Sequence, residues 1–382
     1  MKKHLIAAAV AGAFAVPAMA QVTVYGRVDM GWGTATTKAS CGTQDKTSGL
    51  VDGTQTSNAI GFRGTEDLGG GLTAGFQLEQ GISPTQTNGW NMRTANSGHQ
   101  VANGTAISSA TMRVGALSLR GAFGLVEVGT LQWSAGYAVA SRWGFTAEGF
   151  GGEFHAVATG MPARITGASW TSPAFSGTTL TLQHGGAHGN RVDRESVADA
   201  PDGLRRNKHA RTGMNIQHSS GPLYVGVAYE STAVQATANS AATTNAYGGA
   251  VAVGSAIAAR TEQAWAIAAN YDLGPVVLRG GIVDRDNGAS GSDNRKTAGT
   301  GLSVAVPLGA LTLTAVASQY ETKTPTAKTL DVSGHQFNAR YNLSKRTNVY
   351  LHYGTDKDKG SSVTATTLAK RTRTVAGLVH TF

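Results

Sequence analysis

The strongest constraint on this 382-residue chain is a period of two that keeps returning. From Val22 to Trp32, one set of alternate positions holds Val22, Val24, Gly26, Val28, Met30 and Trp32. The other holds Thr23, Tyr25, Arg27, Asp29 and Gly31. The pattern restarts as Leu72, Ala74, Phe76 and Leu78 against Thr73, Gly75, Gln77 and Glu79. It returns as Leu223, Val225, Val227 and Tyr229 against Tyr224, Gly226, Ala228 and Glu230, and as Phe337, Ala339, Tyr341 and Leu343 against Gln336, Asn338, Arg340 and Asn342. Successive side chains of a strand point to opposite faces, so this alternation builds strands with two unlike faces. Beyond residue 20 no apolar run approaches the roughly 20 residues of a spanning helix. Two architectures remain: a secreted sandwich with its apolar faces packed inward, or a closed barrel with those faces turned to lipid.

The connections favour the barrel. Short turns fall at Glu66–Gly71, Gly121–Gly124, Ser172–Gly177, Ser219–Pro222, Asp272–Pro275, Pro307–Ala310 and Ser344–Thr347. Longer polar stretches alternate with them: 34–57, 80–109, 131–163, 185–210, 231–261, 284–297, 321–334 and 354–370. This spacing predicts about sixteen antiparallel strands with short turns at one end and long loops at the other, the asymmetry of transmembrane barrels. An open sheet edge in lipid would leave backbone amides unpaired at several kcal/mol each, so the first strand must close on the last. At about sixteen strands the interior is too wide for side chains to fill, and it holds water. No composition break near the middle marks the linker that two sandwich domains would need.

The ends point the same way. Residues 1–20 carry Lys2 and Lys3, an apolar core from Leu5 to Val16, and a small-residue end at Ala18-Met19-Ala20. They read as a secretory signal peptide, which leaves 21–382 as one barrel domain in a bacterial outer membrane. The last strand places Ala376, Leu378, His380 and Phe382 on one face and ends on Phe382. A terminal Phe of this kind resembles the assembly signal of outer-membrane barrels. Cys41 is the single cysteine, so no internal disulfide forms.

Without Lys2 and Lys3 the chain has 30 Lys and Arg against 23 Asp and Glu, an excess of seven. No basic helix, zinc spacing or aromatic RNA-binding motif accompanies that charge, so nucleic acid is not the partner. In an exported pore the excess favours anions. A charge facing lipid at mid-depth costs about 2–4 kcal/mol, so charged residues of the strands belong inside. That rule places Arg27, Arg63, Arg279 and Arg340 on the lumen wall, with Arg373 joining them. Asp29, Glu79, Glu127 and Glu230 are the expected lumen acids. Arg113 and Arg120 lie where the alternation slips near Gly115; a bulge is expected there, and their direction is open.

Catalytic signals are lacking. There is no Gly-x-Ser-x-Gly elbow and no His-Glu-x-x-His motif, and His184 and His188 flank Gly185-Gly186 rather than a helix face. No enzyme, metal or cofactor is expected. A rim active site, or an adhesin or receptor role for the long loops, stays open.

Several segments together resemble the trimeric general porins of Gram-negative bacteria, most closely the β-proteobacterial branch. They are Val22–Asp29, Ile60–Leu72, Phe123–Gly129, Trp170–Gly177, Leu343–Thr347 with Val349-Tyr350, and Ala376–Phe382. The resemblance implies a sixteen-stranded antiparallel transmembrane β-barrel whose third long loop folds inward as a constriction. That loop holds Glu148-Gly149-Phe150-Gly151-Gly152-Glu153, similar to the family's acidic constriction element, so Glu148 and Glu153 would face a wall of cations. It also gives Arg27 and Arg63 motif positions and implies a homotrimer, with 80–109 latching onto a neighbour. The implied partners are outer-membrane lipid and lipopolysaccharide, the barrel-assembly machinery, and small hydrophilic solutes and anions. Two departures thin the expected positive charge: Gly129-Thr130-Leu131 lacks a family Arg, and Val379 and Thr381 flank His380 where the family often has Arg.

Overall fold

The computed structural model describes residues 21–39, 42, 44–85, 112–143, 164–187, 209–234, 258–291, 294–360 and 368–382. Cys41, Glu148 and Glu153 lie outside these residues, as do 1–20 and most of 80–109. Seventeen strands follow in chain order: β1 Gln21–Ala39, β2 Gln44–Asp52, β3 Ala59–Gly69, β4 Leu72–Gly81, β5 Val114–Gly121, β6 Gly124–Leu131, β7 Ile165–Thr171, β8 Thr178–Ala187 and β9 His209–Ser220. The remainder are β10 Leu223–Val234, β11 Arg260–Asp272, β12 Val277–Asp286, β13 Lys296–Leu308, β14 Leu311–Lys323, β15 Lys328–Asn342, β16 Thr347–Asp358 and β17 Leu368–Thr381. One short helix, α1 Ala135–Ala140, lies between β6 and β7.

The strands pair antiparallel with their chain neighbours except that β2 and β3 each pair with β1, and β1 closes on β17 from Arg27↔Thr381 to Lys38↔Lys370. The wall has sixteen positions, because β2 and β3 are two halves of one interrupted strand. β2 pairs with the outer half of β1, and β3 pairs with its inner half. Asp29 makes the interruption possible. Its carboxylate accepts N–H bonds from Gln55 and from Thr56 (2.8 Å) and the Tyr350 hydroxyl proton (2.7 Å), so the looped-out backbone keeps its partners. The stretch 34–57 is therefore mostly paired strand rather than loop. The 284–297 and 321–334 stretches also shrink, because β12 to β15 run farther outward than their apolar pattern extends.

The seven short turns lie at the same end as the start of β1 and the end of β17. Gly69, Gly70 and Gly71 all have positive φ, between 60° and 80°, which glycine adopts without strain. Phe382 bonds Gly26 through both backbone groups at 3.1 Å, and its ring lies where a side chain at position 26 would sit. The outward face is apolar and exposed: Val22, Val24, Phe62, Leu117, Ile267, Leu302 and Leu351, bounded by Trp32, Tyr229, Trp265 and Tyr353 toward the outer end and Tyr271, Tyr341 and Phe382 near the turns. Aromatic rings at both edges of an apolar band mark the two membrane interfaces. No helix among the described residues is long and apolar enough to cross a membrane.

No bulge lies at Gly115. The β4–β5 register runs unbroken from Thr73↔Arg120 to Glu79↔Val114. The alternation slips because Val114 and Ala116 face inward yet are apolar. They pack with Leu131 and Ile165 into a small buried cluster on the inner wall.

Candidate functional site: the barrel interior

The third long connection turns into the barrel directly after β6. Ser134 caps α1, its hydroxyl oxygen accepting the Tyr137 N–H at 3.1 Å. The helix is built of small residues, and its buried side chains meet an inner wall that is also apolar. Tyr137, Val139 and Ala140 pack on Ala228 of β10, Ala264, Ala266 and Ala268 of β11 and Val283 of β12. Two inward glycines make room. A side chain at Gly213 would stand 3.0 Å from Ala135, and one at Gly226 3.2 Å from Val139.

Polar groups lock the seat. The Gly136 N–H donates to Glu230 Oε1 at 2.7 Å, Asn215 Nδ2 to the Ala135 carbonyl at 3.1 Å, and Gln183 Nε2 to the Trp133 carbonyl at 3.0 Å. Glu230 is thus a buried anchor for the loop, with Arg211 Nε 4.0 Å from its other oxygen, rather than an acid facing the water column. Trp133 stacks on Tyr137 with ring centroids 4.9 Å apart, and the Arg164 guanidinium lies 5.7 Å over the Trp133 ring. At the other end of α1, Arg142 lies 5.1 Å over the Tyr224 ring.

Strands β1, β3, β4 and β5 stand about half the ring away from this seat and carry the second half of the site. Glu79, 2% exposed, takes Arg27 at 3.1 Å and Arg113 at 2.7 Å. The Tyr25 hydroxyl donates to Glu79 Oε2 at 3.2 Å and accepts from Gln77 Nε2 at 2.8 Å. Arg27 is further fixed by its Nε donating to the Ser57 carbonyl at 2.6 Å. The Arg63 guanidinium lies 5.2 Å over the Tyr25 ring and is solvent-exposed. Gly61 leaves the space that the Tyr25 ring fills, since a side chain there would meet it at 2.6 Å. Two guanidiniums therefore share one carboxylate, and a third, that of Arg63, lies over the tyrosine bonded to it.

The paired registers place all four arginines expected on the wall, and Arg373, on the lumen face. They do not all meet. Arg27 and Arg63 converge at Tyr25, while Arg279 and Arg340 sit near the short turns, at the inner mouth. Arg113 turns to Glu79, which resolves its direction, and Arg120 faces inward beside its own short turn. Asp29 is consumed by the β2–β3 interruption. Glu127 is half-buried and accepts from the Ser169 hydroxyl at 3.4 Å.

Sequence reasoning missed a second set of inward charges toward the outer end. Glu262 pairs with Arg260 at 2.9 Å and Arg285 at 2.8 Å, and Asp356 pairs with Arg371 at 3.1 Å. Arg260, Arg285 and Asp356 fall in stretches read as loops, so face parity was not applied to them. Among the described residues no group of three or more His, Cys, Asp or Glu side chains converges to hold a metal.

Comparison with known proteins places this geometry. The family model of Gram-negative porins matches residues 7–361. The outer membrane porin protein 32 of Delftia acidovorans is 28% identical over 377 residues, 95% of this chain and 91% of that protein. The major outer membrane protein P.IB of Neisseria gonorrhoeae is 46% identical over 94 residues, 24% of this chain; the match spans about a quarter (26%) of that relative's length. Among solved structures, the anion-selective porin from Comamonas acidovorans superposes with a TM-score of 0.68 at 21% identity, covering 95% of this chain and all of that one. The trimer form of OmpT from Vibrio cholerae gives 0.63 at 12% identity, covering 95% and 99%. A closed sixteen-position barrel, an inward third loop and a family match over nearly the whole length agree: the chain belongs to the Gram-negative porin family of outer-membrane proteins.

Proposed function

We propose that this chain is a passive, water-filled diffusion channel for ions and small hydrophilic solutes, with a moderate preference for anions. One observation carries the reading. A loop seated on the inner wall at β9–β12 narrows the lumen from one side, and on the other Arg27 and Arg113 share the Glu79 carboxylate while Arg63 lies exposed over the Tyr25 ring. Fixed charges at a narrow point bias permeation through local electrostatics. The preference is moderate because Glu262 and Asp356 offset other arginines, and salt screens over about 8–10 Å. The anion-selective Comamonas porin has the same fold, and the trimer form of OmpT favours a homotrimer here as well.

Glu148 and Glu153 would extend the constriction beyond α1, Phe382 would serve the barrel-assembly machinery as its signal, and residues 80–109 would latch onto a neighbouring subunit. Residues 1–20 would be removed on export. No cofactor and no chemical step enters this reading. Single-channel recording in a salt gradient tests the proposal: discrete steps with a reversal potential on the chloride side support it, and an absence of steps from folded protein refutes it.

A further inference from the structure

Lumen arginines are held in two different ways. Arg27 and Arg113 give their N–H edges to Glu79, Arg260 and Arg285 to Glu262, and Arg371 to Asp356. Arg63 and Arg142 lie flat on rings instead. The Arg63 guanidinium is 5.2 Å over the Tyr25 ring, and that of Arg142, in the 3-10 turn Ser141–Trp143 after α1, is 5.1 Å over the Tyr224 ring. Both arginines are exposed, and among the described residues no acid pairs with either.

The two stacks are built alike, about half the ring apart and both toward the inner end. Each tyrosine leans across an inward glycine. A side chain at Gly61 would meet the Tyr25 ring at 2.6 Å, and one at Gly226 would meet the Tyr224 hydroxyl at 2.5 Å. Each hydroxyl is tied to a glutamine. Gln77 Nε2 donates to the Tyr25 hydroxyl at 2.8 Å, and the Tyr224 hydroxyl donates to Gln217 Oε1 at 3.0 Å. Each ring is thus fixed against the wall, and the arginine on it keeps one face on the ring and the other toward water. The stack of Arg164 over Trp133 is unlike these two, because Arg164 is 5% exposed and offers no face to the lumen.

A guanidinium face attracts an aromatic ring by cation–π interaction and planar stacking. A spherical anion such as chloride gains only the charge; a flat aromatic anion gains the charge and the face. The carboxylate of benzoate lies in the plane of its ring, so one guanidinium cannot hold the ring on its face and the carboxylate on its edge together. A second guanidinium stands by at each place. Arg27 also adjoins Tyr25, and Arg279 shares the cross-strand row of Tyr224 through Asn270.

We propose that Arg63 on Tyr25 and Arg142 on Tyr224 are two low-affinity stacking sites for aromatic carboxylates, with the ring on the free guanidinium face and the carboxylate on Arg27 or Arg279. The proposal rests on the reading of the chain as an open channel and adds a solute class to it.

The test records chloride current through the full-length protein in planar bilayers while benzoate or cyclohexanecarboxylate is added. The probes share charge and carbon count, and only benzoate has a π face. In wild type, benzoate is expected to halve the current at a concentration about two- to fivefold lower, the factor for one exposed cation–π contact. Arg63→Lys/Arg142→Lys keeps both charges and removes both planar faces, so the two half-blocking concentrations should converge. Any change in the field acts on both probes alike and cancels in their ratio. Equal half-blocking concentrations in wild type overturn the proposal, and so does a benzoate preference that survives in the double variant. Should that variant not assemble, benzylammonium is added to wild type, with a similar ring and the opposite charge. Block at the concentration that benzoate needs overturns the proposal, because an apolar patch would then hold the ring; a benzoate preference with no such block supports it. Current steps with equal block refute the stacking sites alone, whereas folded protein without steps refutes the channel and the sites with it.

Discussion

The two sides of the lumen are held by opposite physics. At β9–β12 the wall turns alanine and glycine inward, and a neutral helix docks by apolar packing plus three hydrogen bonds at its start. At β1–β5 the wall turns charge inward, and geometry is fixed by guanidiniums and a tyrosine converging on one carboxylate. In the proposed channel the first side would set the width and the second the ions favoured. Glu230 on one side and Glu79 on the other are buried, and they position other groups instead of facing the solute.

If that division holds, damage to the seat should alter conductance with little change in selectivity. Ala266→Glu places an uncompensated charge under α1, at a cost of several kcal/mol. The largest expected effect is an unseated loop, seen as higher and noisier single-channel conductance in a correctly assembled oligomer. Deleting Glu148 to Glu153 should likewise raise conductance, by removing loop beyond α1. Glu230→Ala strips one acceptor from the helix start and should weaken docking by about 1–3 kcal/mol, giving gating noise at nearly unchanged mean conductance.

The charged side should respond in the other coordinate. Glu79→Gln leaves Arg27 and Arg113 without their shared counter-ion, so anion preference should rise and the thermal midpoint fall, while open-channel conductance moves less than in Ala266→Glu. The smallest effect belongs to Arg340→Gln. That residue faces the lumen near the inner mouth, where the pore is not narrowed by α1, and its change in reversal potential should be well below that of Arg63→Gln. Equal shifts would mean that selectivity is spread over the whole wall.

Most of the barrel was legible from the alternation, because lipid enforces an apolar outward face along every strand. The breaks in legibility have two causes. Outward residues beyond the lipid need not be apolar, so the outer halves of β1, β2 and β12 to β15 looked like loop, and Arg260, Arg285 and Asp356 were lost with them. Inward residues under a docked loop need not be polar, so Val114 and Ala116 looked like a bulge. The same signal could have located the seat: β11 is apolar on both faces, with Ala264, Ala266 and Ala268 inward and Trp265 and Ile267 outward. In a water-filled barrel such a strand marks where something covers the wall. The Arg27–Glu79–Arg113 group was only partly visible, since three strands had to be brought into register before Arg113 could be assigned to it.

The most direct test of this account is the reversal potential of Arg27→Glu/Arg63→Glu, measured against wild type in a potassium chloride gradient at low and high salt. The account predicts a shift from the chloride side toward potassium, larger at low salt because screening is weaker there, with single-channel conductance of the same order. An unchanged reversal potential in a folded, conducting barrel would contradict it, because the charged wall would then have no hold on the ions passing it.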